Sequence, residues 1–278
     1  MQFSKFGAKF TRKSGVLQLM DDLGSALTAD RKMIMLGGGN PAKIPTVQAV
    51  LRRHMESILA HEDDFEEMIG NYGPPQGDQP FAAALANLLN QEYDWELSAN
   101  NIALTNGSQT TFFYLFNMLA GYFSDGSFKK ILFPLAPEYI GYLDTGLVDG
   151  MLSANKPEFE FLEPHLFKYH VDFDALHVSS EIGAVCVSRP TNPTGNVLTN
   201  VEIEQLNALA QENDVPLIID NAYGTPFPGI IFADTHPIWN ENIILCMSLS
   251  KLGLPGGRTG IVIANEQIAA AMSAFNAV

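Results

Sequence analysis

Basic residues are scarce in this chain: 16 lysines and arginines stand against 31 aspartates and glutamates, giving a net charge of -15 over 278 residues. So acidic a surface repels phosphate backbones and anionic bilayers, and neither nucleic acid nor a membrane surface is expected as a partner. Cysteine is nearly absent. Cys186 and Cys246 lie inside strand-like apolar runs without C-x-x-C spacing, which predicts reduced core residues of a cytoplasmic protein. The six histidines, at 54, 61, 165, 170, 177 and 236, show no H-E-x-x-H or similar spacing, so no metal centre is expected. No apolar run approaches the ~18 residues of a membrane span. Lys5, Lys9, Arg12 and Lys13 precede no apolar segment of the kind a signal peptide needs.

What remains is a chain with 46% hydrophobic residues, enough for one large core or two smaller ones. Residues 1 to about 45 read as irregular, ending in a loop of three glycines and two prolines, Gly37-Gly-Gly-Asn-Pro-Ala-Lys-Ile-Pro45, suited to close backbone approach. Val47, Val50, Leu51, Met55, Ile58 and Leu59 recur at helical spacing within a segment from about Thr46 to Met68, and Phe81 to Asn90 resumes the pattern after a Gly-Pro-Pro turn. From residue 100, short apolar strands alternate with amphipathic helices. Strands are expected near Ile102-Thr105, Lys130-Pro134, Phe159-Leu162, Ala184-Ser188, Pro216-Asp220, Asn242-Ser248 and Gly260-Ala264; helices near Gln109-Tyr122, Tyr139-Val148, Asn200-Asn213 and Asn265-Ala274. This alternation predicts an α/β fold, a three-layer αβα arrangement on a mostly parallel sheet.

One stretch concentrates reactive groups: Ser248-Leu-Ser-Lys-Leu-Gly-Leu-Pro-Gly-Gly-Arg-Thr-Gly260. Lys251 would emerge at a strand end, where open α/β sheets gather ligands, and a lysine forms Schiff bases with carbonyl compounds. Arg258 brings a second cation, which favours the free amine, and a planar fork of donors that matches a phosphate. A solvated loop lysine fits these thirteen residues equally well. Ser248-Leu-Ser-Lys251 also satisfies the S-x-x-K pattern of acyl-enzyme hydrolases. That pattern belongs at a helix start, no S-D-N accompanies it, and Arg258-Thr-Gly260 is too close in sequence to serve as a facing K-T-G strand.

Other loops at strand ends carry unusual residues. Thr105-Asn-Gly-Ser-Gln109 opens a helix, whose free amides would make an anion site with Ser108 adding a donor; a plain Ser cap is the alternative. Phe133-Pro-Leu-Ala-Pro-Glu-Tyr-Ile-Gly-Tyr142 stiffens an aromatic face in which Tyr139 is a stacking platform or a core residue. Asp220 ends an apolar strand, and a carboxylate there must find a partner or be neutralised.

Taken together, Asn192-Pro-Thr-Gly195, Asp220-Asn-Ala-Tyr223 and Ser248-Leu-Ser-Lys251 with Arg258 resemble, in order and spacing, the class I and II aminotransferases, fold type I enzymes of pyridoxal 5'-phosphate. The resemblance implies an enzyme that moves amino groups between amino acids and 2-oxo acids by a ping-pong Schiff-base mechanism. Lys251 would hold the cofactor and shuttle a proton, Asp220 would pair with the pyridine nitrogen, and Tyr223 and Asn192 would bond its phenolic oxygen. Tyr139 would stack on the ring; Gly107, Ser108, Gln109, Ser248 and Arg258 would hold the phosphate. Tyr72 would reach it from a second subunit of a homodimer, and Gly39 would approach the substrate carboxylate. Another Cα reaction, such as C-S bond cleavage, uses the same lysine and aspartate, and a non-catalytic cofactor-binding module is the alternative from outside enzymology.

The resemblance has two departures. Arg258 follows Lys251 by seven residues where many relatives have eight. The family runs on well past the position of Val278 into a small domain that supplies the arginine for the substrate carboxylate, so no residue here receives that role. The resemblance implies that residues 1–45 belong to the small domain and 46–278 to an incomplete cofactor-binding domain, inactive as a fragment.

Overall fold

Alternation along the central strands puts successive side chains into two different cores, one on each face of a sheet. The computed structural model describes residues 1–28, 34 and 40–278. In chain order the elements are α1 (Lys5–Phe10), α2 (Gly15–Thr28), α3 (Pro45–Ala60), α4 (Asp64–Gly70), α5 (Gln79–Tyr93), β1 (Ile102–Thr105), α6 (Ser108–Leu119), β2 (Gly121–Tyr122), β3 (Phe128–Phe133), β4 (Leu152–Ala154), β5 (Glu158–Glu163), β6 (Leu166–His170), β7 (Ile182–Ser188), α7 (Asn200–Glu212), β8 (Leu217–Asp220), β9 (Ile243–Ser248), β10 (Gly260–Ile263) and α8 (Glu266–Asn276). The main sheet runs β1-β10-β9-β8-β7-β3-β2, with β4 also beside β3. Its centre is parallel, from β4 through β3, β7 and β8 to β9, while β10 runs antiparallel to both β9 and β1.

All seven residues of β7 are buried, as a strand covered on both faces requires. Val185, Val187, Leu217, Ile219, Leu245 and Ile261 face Leu85 and Leu89 of α5 and Ile203 and Leu206 of α7. Their alternates Ala184, Cys186, Ile218, Ile244, Cys246 and Val262 face Phe112, Leu115 and Phe116 of α6 and Met272 of α8. The result is the expected three-layer arrangement, and both cysteines are free and buried within it.

Capping explains where the helices start. Thr199 accepts from the Glu202 amide, and the Glu202 carboxylate returns to the Thr199 amide and hydroxyl, a capping box that opens α7. The same carboxylate accepts from the Val171 amide at 3.1 Å and lies 3.0 Å from His170 Nδ1. Burial raises the Glu202 pKa, but the hydrogen bonds from Thr199, Val171 and His170 outweigh it and hold the group below the usual carboxylate range. Glu202→Ala strips partners from several buried donors, each costing about 1–3 kcal/mol. The expected outcome is a clear fall in the midpoint of thermal unfolding, with Glu202→Gln falling less.

Four expectations are corrected. Residues 1–45 are not irregular throughout: α1 and α2 form there, with Ser4 capping α1, and they rest on the sheet unit through Lys9–Asp149 (3.0 Å) and the Phe10–Phe113 ring pair. The long helix near Thr46–Met68 is two helices, α3 and α4, broken at residues 61–63, where Asp63 takes φ +70°. The strand near Phe159–Leu162 lies outside the main sheet, in an exposed antiparallel hairpin of β5 and β6. Its Phe-Glu alternation stacks Phe159 and Phe161 on one face, while His170 ties the hairpin to Glu202. No helix spans Tyr139–Val148; only a single 3-10 turn, Ile140–Tyr142, forms there. The Asn117 amide captures the Thr145 carbonyl and its oxygen accepts from Leu147 N, which diverts backbone groups that a helix would pair internally.

Candidate active site

Parallel strands gather their following loops at one edge, and the register brings the chemistry there together. Ser188, at the end of β7, sits opposite Asp220, at the end of β8; Ser248, at the end of β9, sits opposite Gly260, which in turn faces Thr105 of β1. Lys251 lies on the turn after β9, with Nζ 5.4 Å from the centre of the Tyr223 ring. The Tyr223 hydroxyl meets Asn192 Nδ2 at 3.4 Å. Asp220, Tyr223, Asn192 and Lys251, spread over sixty residues of sequence, therefore converge.

Asp220 is anchored at both oxygens. Oδ1 accepts from the Ala222 amide at 3.0 Å and Oδ2 from the Tyr142 hydroxyl at 2.5 Å. Burial raises its pKa despite these bonds and the nearby charge of Lys251. Tyr139, whose ring meets that of Tyr142 edge-on at 5.4 Å, is also raised, first by burial and then by Tyr223 and Asp220.

The neighbouring strand ends, Thr105 and Gly260, lead into loops built for an anion. Gly107 precedes α6 with φ +91° and ψ 154°, a conformation essentially reserved for glycine. A Cβ there would strike the Arg258 guanidinium, so that fork of donors lies directly over the helix N-terminus. A Cβ at Gly260 would come within 2.7 Å of the Ser108 amide nitrogen, so the strand and the helix start pack backbone to backbone. Ser248 is buried, and its hydroxyl accepts from Ser250 N at 3.1 Å, leaving its proton free to donate.

Two of the residues picked out in the sequence have other surroundings. Gln109 donates its amide to the Gly141 carbonyl at 2.7 Å, so here it ties α6 to the Tyr139 turn. Tyr72 is fully exposed on the turn after α4. Gly39 lies outside the described residues. Closeness in sequence does not keep Arg258-Thr-Gly260 from facing Ser248, because β10 folds back to place Gly260 opposite it. What disfavours that site is geometry: Lys251 stands on a turn after a strand, with no helix to present it one turn from Ser248.

Residues overlooked in the sequence complete the surroundings. Buried Arg189 gives its guanidinium to the Leu198 and His236 carbonyls and to Asn200 Oδ1, fixing the loop that carries Asn192; burial brings its pKa down to about 10. Glu138 accepts from Ser188 N at 2.9 Å and meets Ser188 Oγ at 2.6 Å. Part of its surface remains accessible, yet its carboxylate is enclosed by protein, and that burial pushes its pKa up to about 7. An acid between Pro137 and Tyr139 in an otherwise apolar run was its signal, the same one that marked Asp220. A hollow of about 800 Å³ between the β5–β6 hairpin and residues 194–201 lies apart from these groups, and the Lys168 ammonium that lines it is committed to the Val197 carbonyl at 2.6 Å. Among the described residues, no group of His, Cys, Asp and Glu could hold a metal ion.

A sheet of this topology, with an acid, a lysine and an anion cup at its carboxyl edge, is the architecture of the class I and II aminotransferases, and the chain belongs to that family. The family model, "Aminotransferase class I and II", matches residues 158–277. The chain is 53% identical to the valine-pyruvate aminotransferase of Escherichia coli strain K12 over all 278 residues, which cover 66% of that enzyme. A solved protein of Psychrobacter arcticum 273-4, assigned by name to the amino-acid aminotransferases, superposes with a TM-score of 0.94 at 49% identity, covering 100% of this chain and 68% of that one. The valine-pyruvate aminotransferase of Salmonella typhimurium LT2 superposes with a TM-score of 0.82 at 50% identity, covering 95% and 64%. The chain thus spans about two thirds of the length of these relatives.

Proposed function

We propose that the full-length protein is a pyridoxal 5'-phosphate-dependent aminotransferase that moves an amino group between valine and pyruvate, giving 2-oxoisovalerate and alanine. The observation that carries the reaction class is the convergence of Lys251, Asp220, Tyr223 and Asn192 at the carboxyl edge of the sheet, where Arg258 also lies over Gly107. The substrate pair rests on the 53% identity to the E. coli enzyme across the whole chain.

The residues present fit that cofactor. The cup at Gly107 is one that a Cβ would fill, and Arg258, Ser108, Ser248 and the first amides of α6 supply donors for a phosphate. When bound, the cofactor supplies an electron sink for the bond broken at the substrate Cα. Asp220 holds negative charge for the ring nitrogen, and its two anchoring bonds fix where that charge sits. Tyr139 would cover the ring, while Asn192 and Tyr223 would donate to the phenolic oxygen. Lys251 Nζ takes the proton from Cα and returns it at the other end of the transfer. Gln109 acts through the Gly141 carbonyl, steadying Tyr139.

Further parts of this reading concern the whole protein. Residues 46–278 would form an incomplete cofactor domain and residues 1–45 the N-terminal segment of the small domain, with Gly39 at the substrate. A homodimer is supported by the apolar side chains exposed on α3 and α4, among them Met55, Leu59 and Ile69, and by Tyr72 beside them. Cytoplasmic residence is supported by two free, buried cysteines; among the described residues, no helix is long and apolar enough to cross a membrane.

Incubating full-length protein with valine and pyruvate is expected to yield alanine and 2-oxoisovalerate. Release of thiol or ammonia from other amino acids with no amino transfer would favour a lyase instead. Gly107→Ala tests the cup: backbone strain of about 1–3 kcal/mol at a glycine-only conformation predicts a rise in the Kd for pyridoxal phosphate of roughly tenfold to a hundredfold. Equilibrium titration of the apoprotein measures it.

A further inference from the structure

We propose that Glu138 is a neutral carboxylic acid and a positioning residue, the head of a one-way chain of donors through Ser188 and Tyr142 that keeps Asp220 ionised. Three oxygen contacts make the chain: Glu138 Oε2 to Ser188 Oγ at 2.6 Å, Ser188 Oγ to Tyr142 OH at 3.0 Å, and Tyr142 OH to Asp220 Oδ2 at 2.5 Å. Two hydroxyls bring only two protons to three contacts. With both carboxyl groups ionised, Ser188 must donate to Glu138 and Tyr142 to Asp220, and the serine and tyrosine oxygens face each other without a hydrogen in a buried site.

One further proton fills all three contacts. Placed on Glu138 Oε2, it donates to Ser188, which donates to Tyr142, which donates to Asp220, while Oε1 still accepts from the Ser188 amide. Placed on Asp220, it would fill the same contacts in reverse. The surroundings decide between them. Asp220 has the Lys251 charge nearby and a second bond from the Ala222 amide, both favouring its anion. Glu138 also accepts from two amides, Ser188 N at 2.9 Å and Tyr139 N at 3.3 Å, but the groups it faces, Asp220, Tyr142, Cys186, Ser188 and Tyr139, include no cation, so the Lys251 charge beside Asp220 decides. Enclosure and the neighbouring Asp220 charge together disfavour a second anion there. The arrangement leaves one negative charge in the cleft and aims it. Its use toward the ring nitrogen rests on the aminotransferase reading; the proton chain itself does not.

Infrared difference spectra of the full-length apoprotein test the proton's location directly. A protonated-carboxyl stretch is expected at about pH 5.5, lost as pH rises through about 7. It should vanish in Glu138→Gln. A band that persists in Glu138→Gln, or no band at all, overturns the proposal. In the cofactor-loaded enzyme, Glu138→Gln, whose amide still donates to Ser188, is expected to keep kcat within about threefold of wild type and to lose any pH step near 7 in the bound chromophore. Glu138→Leu, which cannot donate, should lower kcat tenfold or more with little change in KM. Equal losses in both variants would contradict a donor role. Failure of the protein to bind cofactor while the carboxyl band behaves as stated would refute the enzymatic reading and leave the proton chain standing.

Discussion

Replacing Lys251 with alanine is expected to abolish measurable transamination while leaving the fold intact. Lys251 stands on a turn beyond the buried end of β9, its side chain over the Tyr223 ring, and no packed core depends on it. Loss of positioned proton transfer alone accounts for roughly 10²–10⁴-fold in rate. Loss of covalent attachment adds to that, because without the amine the cofactor is held only by its phosphate and ring contacts. Single-turnover assays of the loaded variant, with circular dichroism to confirm folding, measure the effect. Retention of more than about a tenth of wild-type turnover would remove Lys251 from its role.

Asp220→Asn is expected to lower kcat by about 10²–10³-fold, the scale found when one preorganised electrostatic partner is removed from a reacting centre. The substitution does two things in this structure. It deletes the negative charge, and its amide placed toward Tyr142 would turn the tyrosine from donor to acceptor and reverse the bonds leading back to Ser188 and Glu138. The pH dependence follows in sign from burial, which raises the Asp220 pKa above that of a free aspartate. Activity that needs the anion should therefore fall as pH drops through this raised value. Stability runs the opposite way: the folded state binds this proton more tightly than the unfolded state, so the stabilisation present below the ordinary aspartate pKa is lost as pH rises through the folded one. Asp220→Asn should flatten both dependences. An acid limb in kcat that survives in the variant would assign it to another group.

The sheet was legible where strands are buried on both faces, because Ala184–Ser188 and Asn242–Ser248 are short, branched and apolar whatever surrounds them. It was illegible where partners distant in sequence decide the conformation. Tyr139–Val148 has helical spacing, yet Asn117 claims its backbone, and Phe159 belongs to a hairpin held by Glu202 across thirty or more residues. Capping by Ser4 supports a helix too short for periodicity to reveal. The same division runs through the site. Asp220 and Lys251 declare themselves as polar residues at the ends of apolar strands. Glu138 and Arg189 gain their significance only from groups that folding brings to them: Ser188, fifty residues on from Glu138, and the His236 carbonyl, forty-seven on from Arg189.

Lys251 is expected to form a Schiff base with the cofactor, and chemical trapping examines this without relying on turnover. Full-length protein loaded with pyridoxal phosphate should absorb at longer wavelength than its aromatic residues can. Borohydride should bleach that band and fix one label per chain, and peptide mapping should place it on Lys251. A label on any other lysine, or none at all in protein that has bound the cofactor, would contradict the account.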